Sequence, residues 1–204
     1  MPSTTEHWNQ IFSAKADPEL GWYESDADQT LKFIQNVPEL DSAIVFLPGA
    51  GTSVLVDALL PLCGHLVLND ISDAALKKLN EKINEKKKVS WLHHDISKPL
   101  PKEVPSADLW IDRAVLHFLL EEDQIEGYFK NLRITVKAGG HALLAEFALD
   151  GAPKCAGLDL HRYSVEEMTE RIGPEFNLIQ HERFLFINPF GDPRPYTYAL
   201  FKRE

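Results

Sequence analysis

Ala43-Ile44-Val45-Phe46-Leu47 is a short apolar run, followed by Pro48-Gly49-Ala50-Gly51-Thr52-Ser53 and then by Val54-Leu55-Val56-Asp57-Ala58-Leu59-Leu60. The run reads as a buried parallel strand, the glycine segment as a sharp turn, and the third stretch as a helix lying on a sheet. His65-Leu66-Val67-Leu68 makes a second strand, which Asn69-Asp70 closes. Strand, glycine turn, helix, strand and acid outline a nucleoside-binding βαβ unit. Glycines let the backbone turn tightly and let a ligand approach without meeting a Cβ, and the helix after them offers free N–H groups. An acid at the tip of the second strand can accept hydrogen bonds from both hydroxyls of a ribose. Asp70 follows Gly49 at about the 20-residue interval expected of such a unit.

The dinucleotide fingerprint requires a third glycine five residues after the first. Val54 occupies that position, so the pattern is not that of a dehydrogenase. Gly49, Gly51 and Ser53 match a G-x-G-x-G turn in two of its three positions.

Working outward, the 204 residues suit one α/β domain with a substantial core, and 44% hydrophobic with 25% charged residues is ordinary for a soluble protein. No apolar run approaches the roughly 18 residues of a membrane span. The N-terminus, Met1-Pro2-Ser3-Thr4-Thr5-Glu6, shows no basic region followed by an apolar one, so a cytoplasmic location is expected. Cys63 and Cys155 form no CxxC pair, which fits a reducing compartment and argues against a thiolate zinc site. A net charge of −10 argues against nucleic acid as a main partner.

Along the chain, residues 3–15 carry His7-Trp8 and Ile11-Phe12 at helical spacing, and Gly21-Trp22-Tyr23 places two aromatics in a loop. Those aromatics either cap the core or wall a ligand. A helix is expected from Asp28 to Val37, and another from Asp73 to Lys88 with Lys86-Lys87-Lys88 in its last turn. Val89–His93 reads as the third strand. His93, His94 and Asp95 follow in series, but successive strand residues point to opposite faces, so no shared metal is expected. Ala107–Asp112 reads as the fourth strand, Glu121–Val136 as a helix, Lys137–Gly140 as a tight turn and His141–Phe147 as the fifth strand. A loop Asp150–Arg162, a helix from Ser164 to Ile172, and strands at Phe176–Ile187 and Pro195–Lys202 complete the reading.

This alternation resembles the class I S-adenosylmethionine-dependent methyltransferases over the whole chain. Gly49-Ala50-Gly51 is similar to that superfamily's first motif, Asp70 to its ribose acid, Asp95 to its adenine acid, Ala107–Asp112 to its fourth motif, and Ala138-Gly139-Gly140-His141 to its "pGG" turn. Asp112-Arg113-Ala114-Val115-Leu116-His117-Phe118-Leu119 resembles the "HDRAVFHFL" block of a group of small bacterial methyltransferases. Cys155-Ala156-Gly157-Leu158 with Arg162-Tyr163-Ser164 resembles its "CSGL…RYS" segment, and His7-Trp8 with Gly21-Trp22-Tyr23 its "HW…SWY" start. More distant similarity runs to lysine methyltransferases acting on citrate synthase or elongation factor, and to thiopurine methyltransferase. Two departures stand out: Leu47 occupies the position of the acid that ends strand one, and Ser53 that of the third glycine.

The resemblance implies an α/β, Rossmann-like methyltransferase domain over residues 1–204, with residues 1–28 as an aromatic lid. Its sheet would have seven mostly parallel strands, helices on both faces and an antiparallel C-terminal strand. It implies S-adenosylmethionine, with S-adenosylhomocysteine as product, held by Trp22, Gly49, Ala50, Gly51, Asp70, Ile71, Asp95, Ile96, Asp112 and Arg113. The methyl would then project toward an acceptor among Arg113, His117, Phe147, Cys155, Arg162 and Tyr163. Asp112 and His117, one helical turn apart, are the candidate bases or orienting groups; the alternative is that Asp112 and Arg113 form a structural ion pair. Cys155 is not expected to act as a nucleophile, since transfer from a sulfonium needs no covalent enzyme intermediate. Three activities are compatible with the motifs: methylation of a small molecule, methylation of a protein lysine, and cofactor binding without turnover. The chain is expected to take a small-molecule or protein acceptor, to bind neither nucleic acid nor membrane, and to be monomeric or dimeric.

Overall fold

A computed structural model describes residues 3–204, so the leader reading at Met1-Pro2 lies outside the described residues. The stretch quoted first forms β1 (Ile44–Leu47), α3 (Val54–Leu59) and β2 (His65–Asp70), preceded by α1 (Thr5–Ala14) and α2 (Asp28–Ile34). Then come α4 (Asp73–Lys82), β3 (Val89–His93), β4 (Ala107–Arg113), α5 (Glu122–Thr135) and β5 (Val136–Phe147). A small hairpin of β6 (Lys154–Cys155) and β7 (Leu158–Asp159), α6 (Val165–Ile172), β8 (Phe176–Ile187) and β9 (Pro193–Arg203) finish the chain.

The main sheet has seven strands in the order β3-β2-β1-β4-β5-β9-β8. The strands from β1 to β5 pair in parallel, while β9 runs antiparallel to both β5 and β8. Strand order reverses between β1 and β4, which opens a crevice at their C-terminal ends. Period-two alternation distributes the apolar residues to the two faces. Val45, Leu47, Leu66, Leu68, Leu109 and Ile111 meet Phe33 and Ile34 of α2 and Leu55, Val56 and Leu59 of α3. Phe46, Val67, Trp110 and Leu144 meet Ile125, Phe129 and Leu132 of α5 and Met168 and Ile172 of α6. Both faces are covered, so the central strands read as continuous apolar runs. Phe46 and Trp110 stack at 4.5 Å, and the Trp110 indole N–H donates to the Tyr128 hydroxyl at 3.0 Å.

Three expectations shift locally. Helix α4 ends at Lys82 instead of continuing to Lys88, because Ile83 leaves the helix in an extended conformation and is buried in the core. Lys86–Lys88 then make a separate 3-10 turn that leads into β3. The turn expected at Lys137–Gly140 is a bulge inside a longer β5: Ala107 pairs with Val136, and Leu109 with His141. The loop Asp150–Arg162 contains the β6–β7 hairpin, whose turn residues Ala156 and Gly157 both have positive φ. Among the described residues, no helix is long and apolar enough to cross a membrane, and no group of three or more His, Cys, Asp or Glu residues could hold a metal ion.

Candidate active site

A cleft lies over the C-terminal ends of β1, β2 and β4, and its floor is the glycine turn. Gly49 has φ +55°, and a Cβ on it would lie 2.2 Å from a methyl of Val115, so the segment after β4 rests directly on the turn. The Ala50 N–H donates to the Asn69 carbonyl at 2.8 Å, and the Gly51 N–H to Oδ2 of Asp70 at 2.8 Å. Oδ1 of Asp70 accepts from the Ser72 N–H, also at 2.8 Å. Asp70 therefore ties the turn to the tip of β2. Burial raises its carboxyl to about 6, with the two N–H groups opposing that rise. Helix α3 offers less free backbone than its sequence suggests: it is six residues long, and Ser53 Oγ already accepts from the Leu55 N–H.

The next strand tip is ordered in the same way. The Asn69 side-chain amide donates to the carbonyls of Leu92 and His94. Oδ1 of Asp95 accepts from the backbone N–H and the hydroxyl of Ser97, and Asp95 and Ile96 line the cleft beside Ile71.

The roof comes from the N-terminal segment. Asn9 of α1 accepts from the Ser72 hydroxyl at 2.6 Å, which pins α1 to the start of α4. Trp8, Phe12, Trp22 and Phe118 interlock edge to face with centroids 4.8–6.1 Å apart, and Phe12 lies against the position a Cβ on Gly51 would take. Such an aromatic cluster buries large area at low entropic cost.

At the β4 end, the Arg113 guanidinium lies 2.8 Å from Glu24 and donates to the Trp22 carbonyl at 3.1 Å. It stacks over Tyr196 at 4.7 Å and Phe186 at 5.1 Å, a cation–π arrangement in a desolvated setting. Burial raises the Glu24 carboxyl, and Arg113 opposes that rise.

Of the residues expected to bind cofactor, Trp22, Gly49, Ala50, Gly51, Asp70, Ile71, Asp95, Ile96 and Arg113 line this one cleft. Asp112 does not. It projects to the other face of the sheet, where it accepts from the Val115 and Leu116 N–H groups and, at 2.6 Å, from the Tyr128 hydroxyl. It is fully buried, and burial with Glu146 nearby holds its carboxyl well above the usual range. Asp112 and His117 do not share a helix face. The chain kinks at Ala114, with φ +71°, and His117 sits in a 3-10 turn from Leu116 to Phe118. Nor does Arg113 pair with Asp112; its carboxylate partner is Glu24. The structure therefore gives Asp112 a capping role. Asp112→Asn should lower stability by about 1–2 kcal/mol and leave S-adenosylhomocysteine affinity within about twofold. Thermal melting and calorimetric titration check this; unchanged melting with a tenfold loss of affinity would return Asp112 to the cleft.

Of the expected acceptor residues, Arg113, His117, Phe147 and Cys155 line the cleft, whereas Arg162 and Tyr163 do not. Arg162 donates to the Gly151 carbonyl, and Tyr163 is buried against the α5–α6 face. Burial pushes the Cys155 thiol up, which keeps it protonated. Two functional candidates escaped the sequence reading. Tyr196 on β9 closes the far wall. Glu146 on β5 is fully buried, with Oε2 2.6 Å from Nδ1 of His117 and accepting the His117 backbone N–H at 3.2 Å. A carboxylate inside the apolar run Ala142–Phe147 was the available signal, since a buried acid needs a partner.

Residues 48–142 match a family model described as a methyltransferase domain. An S-adenosylmethionine-dependent methyltransferase from Anabaena variabilis superposes with a TM-score of 0.81 at 16% identity, over 98% of this chain and 93% of that one. The N-methyltransferase NodS from Bradyrhizobium japonicum, in complex with S-adenosyl-L-homocysteine, does so at 0.74 and 14%, over 97% and 98% of the two chains. A 1,6-didemethyltoxoflavin-N1-methyltransferase from Burkholderia thailandensis, with 1,6-didemethyltoxoflavin and S-adenosylhomocysteine bound, does so at 0.67 and 16%, over 98% and 83%. A comparison with curated proteins finds no match to the sequence. The fold is a doubly wound α/β sheet with its cleft over the strand tips, the place where such sheets take their ligands. Residues 48–142 thus match a methyltransferase domain, within a fold shared with solved S-adenosylmethionine-dependent methyltransferases.

Proposed function

We propose that this cleft binds S-adenosylmethionine and transfers its methyl group to a small-molecule acceptor. The observation that carries the reading is the convergence of Gly49–Gly51, Asp70 and Asp95 on one cleft already roofed by aromatic residues, which suits a small planar acceptor better than a protein surface. Asp70 would take the ribose hydroxyls, and Asp95 with Ile71 and Ile96 the adenine. When bound, the cofactor supplies a methyl made electrophilic by the sulfonium; the protein aligns the acceptor and excludes water.

Leu47 leaves no acid at the tip of β1 for the cofactor's amino group. Glu24 and Arg113 fill that need in this reading, since both line the cleft and are matched to an amino group and a carboxylate. Calorimetry with S-adenosylmethionine, S-adenosylhomocysteine and 5′-methylthioadenosine tests this, because the last of these lacks the amino-acid end. The wild type should bind all three, and 5′-methylthioadenosine most weakly. Glu24→Gln should weaken S-adenosylhomocysteine about tenfold, about 1.4 kcal/mol, and leave 5′-methylthioadenosine unchanged. A wild type that binds none of the three overturns the cofactor reading; equal losses for both product and truncated ligand remove Glu24 from the amino-acid subsite.

A further inference from the structure

We propose that His117 and Glu146 act together as the proton acceptor for methyl transfer, and that the acceptor is an aromatic molecule methylated at an ionisable ring hydroxyl or ring N–H. The proposal rests on the cofactor reading above and extends it to the acceptor.

Geometry comes first. His117 is fully buried, yet it lines the cleft. Its Nδ1 lies 2.6 Å from Glu146 Oε2, and neither ring nitrogen has an aligned hydrogen-bond partner among the described residues, so Nε2, on the side of the ring away from that contact, is left without one. The ring is clamped between Phe118 and Phe147, with centroids at 4.5 and 4.9 Å. Its backbone is fixed twice: the His117 N–H donates to Glu146, and its carbonyl accepts from the His161 N–H. A carboxylate beside one ring nitrogen, a ring locked by packing and an unpartnered second nitrogen on a residue that lines the cleft are the elements of a general base. Glu146 touches no reacting atom; it is a positioning residue that lies beside Nδ1 of His117.

The chemistry of the walls narrows the acceptor. Trp22, Phe118, Phe147 and Tyr196 line the cleft together with His117 and Arg113, and such aromatic walls suit a flat ring. A thiolate or a neutral amine would need no base. A ring hydroxyl or ring N–H does: its lone pair forms the new bond to the methyl carbon as the carbon–sulfur bond breaks. The sulfur keeps that electron pair, and the proton passes to Nε2. The resulting imidazolium is balanced by the Glu146 carboxylate.

The charged and titratable groups that act on the pair are Asp112 and Arg113 of β4, Tyr128 of α5 and the buried Tyr163. In the empty cleft, burial raises the Glu146 carboxyl and lowers the His117 imidazole. Both shifts disfavour a standing ion pair in the empty cleft, so the imidazolium and the carboxylate face each other only once the acceptor's proton has been transferred. A cationic sulfonium nearby favours the anionic, proton-accepting form of the pair.

4-Nitrophenol, whose phenolate absorbs in the visible, tests the pair without requiring the natural acceptor. It is added to the wild-type S-adenosylhomocysteine complex and followed across roughly pH 5–9. An apolar slot by itself delays ionisation of a bound phenol; with the pair in place, the bound dye should ionise at lower pH than the free dye. Glu146→Gln and His117→Gln should each move the bound dye's transition up by about one pH unit, a tenfold change in the proton equilibrium, with S-adenosylhomocysteine affinity within about twofold. A bound dye that ionises no earlier than the free dye overturns the proposal. So does identical ionisation in wild type and variants, or failure of the dye to bind the complex. If a variant does not fold, the comparison of bound with free dye in the wild type decides. Failure of S-adenosylhomocysteine itself to bind strikes the cofactor reading and takes this proposal with it, whereas failure of the dye alone strikes only the proposal.

Discussion

Asp70→Asn should weaken S-adenosylhomocysteine by tenfold to a hundredfold, with the loss concentrated above pH 6. The wild-type carboxylate already accepts two backbone N–H groups, from Gly51 and Ser72, and keeps lone pairs to accept two ribose hydroxyls. Asparagine keeps the shape but turns an NH2 toward one of those donors, and it cannot accept from both ribose hydroxyls. Charge-assisted bonds of this kind contribute roughly 1.5–3 kcal/mol. The pH dependence has a definite sign. Burial holds the unliganded carboxyl at about 6, above its ordinary value. The empty fold thus prefers the protonated acid, and its stability from this group declines as pH rises from the ordinary carboxylate range through about 6. In the proposed cofactor complex, ribose hydroxyls donate to the anion and reverse that preference. Wild-type affinity should be flat above about pH 6 and fall by up to tenfold per pH unit below it. The variant should show no such break. Titration calorimetry at several pH values measures both; a wild-type profile without a break near 6 would mean that Asp70 is not ionised by the ligand.

The second large effect lies outside the cleft. Gly127→Val should cost about 3 kcal/mol and lower the melting temperature by roughly 5–10 °C. Gly127 is in the middle of α5, where a Cβ would lie 2.1 Å from the Ser97 carbonyl oxygen. That oxygen cannot move aside. One turn on, Asn131 donates to the carbonyls of Ile96 and Lys98, and its own oxygen accepts from the Leu100 N–H. Ser97 also holds Asp95 through its N–H and hydroxyl. Valine therefore pushes α5 away from the loop that carries Asp95, so cofactor affinity should fall along with stability. The gain of about 1 kcal/mol that a helical glycine ordinarily yields on replacement by alanine is too small to offset the clash, so Gly127→Ala should also destabilise. A stabilised Gly127→Ala protein, seen by thermal melting, would show that the helix can move off the loop freely.

Much of this protein is determined by pattern within a few residues of sequence. The unit from Ala43 to Asp70 is legible because strand burial has a period of two, glycine alone accepts the turn at Gly49 without strain, and an acid closing a buried strand must meet a ligand or backbone donors. That the strand-tip residues line one cleft follows from that local order, since every parallel strand presents its C-terminal end to the same crevice. Tertiary structure decides the rest, wherever partners are distant in the chain. Leu47 marks a missing acid, but only the fold brings Glu24 to Arg113. Asp112 and His117 look like neighbours on one helix, yet the kink at Ala114 sends one to α5 and the other to the cleft. Glu146 reads as an anomaly in an apolar strand until β5 packs it behind His117, and Gly127 reads as a weak spot in a helix until Ser97 arrives against it. Periodicity encodes which face a side chain takes. It does not encode which group from another element meets it there, because that depends on register, on 3-10 turns and on crossing geometry, which are settled only when the whole core packs.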